Sequence, residues 1–217
     1  MAVSESTAQR YKLQDPDVRL MLRVREDDAG AFEELVARYQ TRLITVLEHL
    51  ISRRDAAEDL AQDVFLRVYR SRKRYEPGAK FSTWLFTIAN NVASNALRSR
   101  ARRKEINMPP AQPNDSSAFP LEQMAQERSG LLPARQIDKA ERAEVVRLAI
   151  ESLNERQRMA LLLSKFEGMS YAEIAEAMNL STKAIKSLLS RARVNLRTAL
   201  EPYIHEGLPP NGRDGHE

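Results

Sequence analysis

SYAEIAEAMNLSTKAIKSLLSRARVNLR, residues 170–197, is the stretch on which the reading of the chain turns. Ser170 followed three positions later by Glu173 makes a capping box, so a short helix is expected over 171–178. Asn179-Leu180-Ser181 then turns the chain into a longer helix, expected over 182–201. That helix puts Ile185, Leu188, Leu189, Ala192 and Leu196 on one side. It also carries Lys183, Lys186, Arg191, Arg193 and Arg197, with no acidic residue between Ser181 and Arg197. Two helices joined by a three-residue turn form a helix-turn-helix pattern. In this motif the first residues of the second helix reach base edges in the major groove. Lysine and arginine suit guanine acceptors or phosphates. Lys183, Lys186, Ser187, Ser190, Arg191 and Arg193 are therefore the candidate duplex contacts. A solvated basic face on an ordinary amphipathic helix is the bland alternative; the capped short helix and tight turn before it weigh against that.

Upstream, the pattern is helical throughout. Asn154 opens a helix containing Met159, Leu162, Leu163 and Phe166, with Gly168 as its C′ residue. Another helix, resuming near 136, carries Ile137, Ala140, Val145, Leu148 and Ile150. Near the N-terminus, Asp15-Pro16 reads as N-cap and first helical position. A second helix, over 31–51, has a stripe of Phe32, Leu35, Val36, Tyr39, Leu43, Val46, Leu47 and Leu50. Asp55 with Glu58 resembles a capping box for a third, and Glu76-Pro77-Gly78 breaks it. Ser82 is expected to cap a fourth over 83–103. Five of the ten prolines fall in 105–135, where apolar periodicity is lost; this reads as an extended, mobile linker. The expected organisation is all-α: a helical domain over 16–104, the linker, and a helix-turn-helix domain over 136–201. A tail over 202–217 is expected to be disordered.

Composition limits the chemistry. The 217 residues include no cysteine, which excludes disulfides, thiolate metal sites and cysteine nucleophiles. The three histidines, His49, His205 and His216, show no metal-ligand spacing, so no metal site or cofactor is expected. No apolar run suggests a signal sequence or membrane span, and a cytoplasmic protein is expected. The formal net charge of +4 is modest, so its distribution matters more than its size.

That charge is concentrated a second time. Arg98, Arg100, Arg102, Arg103 and Lys104 place five cations in seven residues, downstream of Asn90, Asn91, Ser94 and Asn95. Tyr75, Phe81, Trp84 and Phe86 lie before them. Stacking rings, base-reading amides and phosphate-holding cations together suit unpaired bases. For Trp84 a place in the core is equally compatible, and the basic run also complements a helix C-terminus. Asp55, Glu58, Asp59, Gln62 and Asp63 give the third helix an acidic face. The helix dipole accounts for Asp55 and Glu58; Asp59, Gln62 and Asp63 suit docking to a basic protein surface.

Four ordered segments carry a family resemblance. AFEELVARYQ (31–40), DAAEDLAQDVFLRVYR (55–70), KFSTWLFTIANNVASNALRSRARR (80–103) and LNERQRMALLLSKFEGMSYAEIAEAMNLSTKAIKSLLSRAR (153–193) resemble the extracytoplasmic-function (ECF) sigma factors. The resemblance implies a non-enzymatic factor that guides core RNA polymerase to promoters and helps open the DNA. It implies that Asp59, Gln62 and Asp63 face the polymerase β′ clamp. Trp84, Asn91, Asn95, Arg98, Arg100, Arg102 and Arg103 would serve the melted −10 strand, and Lys186, Ser187 and Arg191 the −35 duplex. The β flap and an anti-sigma factor are further implied partners. Phe86 stands where the family often has tyrosine, and Leu188 where it often has a basic residue. A polymerase-independent regulator using the same helix-turn-helix is the competing reading.

Overall fold

A computed structural model describes residues 5–106 and 139–205. Among these the elements are helical and none is a strand. In chain order they are α1 (Glu5–Gln14), α2 (Pro16–Arg25), α3 (Ala29–Ile51), α4 (Arg54–Ser71), α5 (Phe81–Ile106), α6 (Lys139–Glu151), α7 (Glu155–Lys165), α8 (Tyr171–Ala177) and α9 (Thr182–His205). A 3-10 turn, Arg72–Arg74, follows α4. The expected all-α architecture ending in a helix-turn-helix is what the chain adopts. No helix among the described residues is long and apolar enough to cross a membrane.

The N-terminal module wraps α2, α4 and α5 around α3. Val18, Met21, Leu35, Leu43, Leu47, Val64, Phe81, Leu85 and Phe86 fill its interior. In the C-terminal module, α7, α8 and α9 close over Met159, Leu162, Leu163, Ile174, Ile185 and Leu189. The two interiors belong to one contiguous apolar cluster, because α6 and α7 rest on α3, and α8 rests on α5.

Polar side chains fix the helix ends. Asp15 caps α2 as expected: its Oδ1 accepts from the Asp17 and Val18 amides at 2.9 and 3.4 Å. Its other oxygen accepts from the Phe81 amide, at 3.0 Å, where α5 begins. One carboxylate thus satisfies free N–H groups at two helix starts. The expected cap at Ser82 is corrected accordingly: α5 begins at Phe81, two residues before the expected 83, and Ser82 lies inside its first turn. The expected Asp55–Glu58 box is also absent. The N-cap of α4 is Arg53, with no side-chain cap; Asp55 pairs with Arg53 and Glu58 with Arg54.

At the other end of α3 all four terminal carbonyls find donors. Ser52, in the left-handed region at φ 58°, returns its amide to the Glu48 carbonyl at 2.7 Å. Arg158 of α7 donates through Nη1 to the His49 and Leu50 carbonyls at 3.4 and 3.1 Å. Arg100 of α5 donates to that of Ile51 at 3.4 Å.

Three boundaries differ from expectation. The residues before Asp15 form α1, whose Tyr11 packs on the core. α5 extends to Ile106, into the segment read as a linker; the rest of 105–135, and 136–138, lie outside the described residues. α9 continues to His205 through Pro202, so the tail expected from 202 begins as helix. Residues 206–217 also lie outside the described residues.

Because Asp15 closes two helices, Asp15→Ala should cost about 2 kcal/mol, against about 1 kcal/mol for an ordinary N-cap. Denaturant unfolding with an unchanged m-value checks this; a loss no larger than a single cap would contradict the double role.

Candidate nucleic-acid interface

The helix-turn-helix is built from local rules. The Ser170 hydroxyl accepts from the Glu173 amide at 3.3 Å, and the Glu173 carboxylate accepts from the Ser170 amide at 2.7 Å, completing the expected box. Past the C-cap of α8 at Met178, Asn179 takes φ 52°. The Leu180 amide returns to Ala175 and that of Asn179 to Glu176, the pattern of a Schellman cap. Ser181 then caps α9 by accepting from the Ala184 amide at 3.2 Å. These bonds set the turn between the two helices without help from distant residues.

α9 packs through Ile185, Leu189 and Ala192, all buried. Lys183, Lys186, Ser190, Arg191 and Arg193 stand exposed on the other side, with Ser187 partly covered at its edge. Arg193 donates to the Tyr171 hydroxyl at 3.1 Å, which ties one cation to the start of α8. Asn195 donates to Gln157 at 3.2 Å and anchors α9 on α7. Leu188 is half-buried against the core, which gives an apolar residue a use at that position.

α5 presents a second face. Asn91, Asn95, Arg98 and Arg102 fall at i, i+4, i+7 and i+11 and are all exposed. Asn95, Arg98, Ser99, Ala101 and Arg102 line an open cleft. Arg98 donates to the Asn95 side chain at 2.6 Å, holding amide and cation together. Arg103 is exposed and donates to the Ser99 carbonyl at 3.3 Å. Arg100 differs: its bond to Ile51 turns it toward α3. Of the aromatic group, Tyr75, Phe81 and Phe86 are buried and serve the core. Trp84 is half-buried, with ring centroids 4.8 Å from Tyr75 and 6.1 Å from Phe81. The full burial of Phe86 leaves no water for the hydroxyl that a tyrosine would bring.

On α4, Asp59 and Gln62 are exposed, and Asp63 pairs with Arg67 at 2.9 Å. Leu66 and Tyr69 extend the same face and are 52% and 39% exposed, apolar area that the acidic reading overlooked. They are out of phase with the buried Ala61, Val64, Phe65 and Val68, and that phase was the available signal. Tyr69 is held by Phe32, 5.1 Å away, and by the Arg72 guanidinium 4.0 Å above its ring.

Comparison with known proteins follows the same division. Residues 35–103 match the family model described as Sigma-70 region 2, and residues 143–196 that described as Sigma-70, region 4. The RNA polymerase sigma-H factor of Pseudomonas aeruginosa is 32% identical over 89% of this chain and 98% of its own length. The ECF RNA polymerase sigma-E factor of Escherichia coli K12 is 33% identical over 87% and 96%. Among solved structures, CnrH in complex with the cytosolic domain of CnrY superposes with a TM-score of 0.60 at 24% identity, covering 87% of this chain and 99% of that one. RpoE from Bartonella quintana, in complex with the anti-sigma factor NepR, gives 0.58 at 24%, covering 78% and 96%.

Proposed function

The chain belongs to the ECF RNA polymerase sigma factors, which bring promoter-specific initiation to the core enzyme, and on that premise we propose which of its surfaces does which part. Residues 16–104 form the domain that binds the polymerase clamp and opens the −10 element. Residues 136–201 form the domain that reads the −35 element. The factor has no catalytic residues, requires no cofactor and acts in the cytoplasm. Its partners are core polymerase, through the β′ clamp and β flap, and promoter DNA. An anti-sigma factor is a further candidate partner, as in the solved complex of a structural relative.

One observation carries this reading: two exposed cationic helix faces, on α5 and α9, stand on opposite sides of the linker in one chain. Lys183, Lys186, Ser187, Ser190, Arg191 and Arg193 enter the major groove at −35, where α9 is backed by a buried apolar side. Asn91 and Asn95 read edges of the unpaired −10 strand, while Arg98, Arg102 and Arg103 hold its phosphates and Trp84 offers a ring for stacking. Arg100 is exposed too, and beyond its Nη1 bond to Ile51 it keeps other donors for the same strand. Asp59, Gln62 and Asp63 dock on the clamp, with Leu66 and Tyr69 adding apolar area to that contact. Each module alone binds weakly; held by one polymerase, each raises the local concentration of the other's site. Phosphate contacts supply affinity and salt dependence, and a few base contacts supply choice.

Lys186→Ala should lower −35-dependent transcription by roughly tenfold, within the range of one lost base contact, and leave capture by core polymerase unchanged. Run-off transcription beside a pull-down checks this, and equal loss in both would contradict the assignment. Asp63→Arg should break the pair with Arg67 and weaken core binding by roughly tenfold, since a reversed charge now faces a basic surface. An unchanged affinity in a direct binding titration would remove Asp63 from the clamp contact.

A further inference from the structure

The exposed face of α4 carries charge of both signs, ordered along its length. Asp59, Asp63, Leu66 and Arg70 fall at i, i+4, i+7 and i+11, so they share one stripe of the helix. Asp59 and Arg70 are exposed, and Leu66 between them is 52% exposed. Asp63 is already engaged: Arg67 donates from Nε to both of its carboxylate oxygens at 3.1 Å. Among the described residues, no hydrogen bond or salt bridge engages the side chain of Asp59 or of Arg70. At 1.5 Å per residue these two free charges stand about 16 Å apart along the helix. The stripe thus has a free anion at one end, a free cation at the other, and Leu66 with an internally neutralised pair between them.

The helix dipole accounts for part of this order. Arg70 lies in the last turn of α4, where a cation is favoured. Asp59 stands in the second turn, and the dipole's influence falls off within the first. The dipole has no bearing on an exposed leucine in the same stripe. A nucleic acid fits poorly, because Asp59 and Asp63 repel phosphates and Leu66 gains nothing from them. A protein surface with charges of both signs around an apolar middle fits all four residues.

We propose that Arg70 orients the docking of α4: the polymerase clamp sets a carboxylate against it, about 16 Å from the cation that meets Asp59. This rests on the assignment of the α4 face to the clamp. Docked the other way round, the stripe would meet like charge at both ends, while Leu66 would meet the same apolar patch. The apolar middle therefore supplies contact area in either direction, and the end charges choose between the two. Tyr69, beside the stripe, is already held by Phe32 and Arg72, so that part of the face needs little ordering on contact.

The test titrates core polymerase, without DNA, into the fluorescently labelled full chain. Arg70→Glu should weaken binding by roughly tenfold, and the loss should shrink as salt is raised. Arg70→Lys keeps the charge and should bind close to wild type. Arg70→Gln, which is neutral, should fall between them and carries the test if thermal melts show that the reversal disturbs the helix end. In a panel of core enzymes that each replace one clamp-surface carboxylate with lysine, one member should recover the affinity of Arg70→Glu. Wild-type affinity in Arg70→Glu overturns the proposal. An equal loss in Arg70→Lys assigns the effect to shape and overturns it too, as does a panel with no recovery. A drop in run-off transcription with core binding intact would hand Arg70 to nucleic acid, and the proposal would fall. Asp59→Lys separates the two levels. If it weakens core binding while Arg70→Glu does not, the clamp assignment stands and the orienting role alone is lost; if both bind as wild type, the face is removed from the clamp.

Discussion

The C-terminus of α3 is the point to which both modules are tied. A helix leaves its last four carbonyls without intrahelical partners, and a buried one left empty costs about 1–3 kcal/mol. Here Ser52 takes Glu48, Arg158 takes His49 and Leu50, and Arg100 takes Ile51. Both arginines also set positive charge against the negative end of the helix dipole. Arg158 goes further. Through Nη2 it donates to the carbonyls of Glu151 and Leu153 at the end of α6, so one guanidinium closes helix ends from two modules. Burial draws its pKa below the ordinary arginine value, against the opposing pull of Glu151 and Glu155.

This arrangement draws one donor of an exposed arginine back to the end of α3. Arg100 belongs to the basic run of α5 yet turns toward α3, whereas Asn91, Asn95, Arg98 and Arg102 keep one exposed face. Glu173 has a comparable double use. It completes the box that starts α8 and pairs with Lys80 of the other module. Burial pushes its carboxyl up, but the bonds from Lys80 and Ser170 outweigh that and hold it below its usual value. A depressed carboxylate stabilises the fold above its unfolded pKa, and that contribution is lost as pH falls through the folded one. The start of the helix-turn-helix and the seating of the two modules therefore weaken together in acid.

Much of this was legible in the sequence because it is local. Asp15-Pro16, Asn154, Gly168, the Ser170–Glu173 box and the 179–181 turn each announce a helix end within a few residues. The basic face of α9 follows from its period. What stayed hidden joins residues far apart in the chain. The bond from Phe81 to Asp15 moved the start of α5 away from Ser82. Arg53 and Arg54 drew Asp55 and Glu58 into pairs where a capping box was expected. Tyr75, Phe81 and Phe86 belong to the aromatic group whose rings suit unpaired bases, and tertiary packing put all three inside. Nothing in local periodicity relates Arg158 to Leu50.

The central claim is that these two cationic helix faces select a promoter when core polymerase carries them. Reconstituted transcription with core enzyme on a library of promoter fragments, with RNA 5′ ends sequenced, tests it most directly. Addition of the chain should concentrate starts at a defined distance downstream of paired −35 and −10 elements. A start-site distribution identical with and without the chain would contradict it.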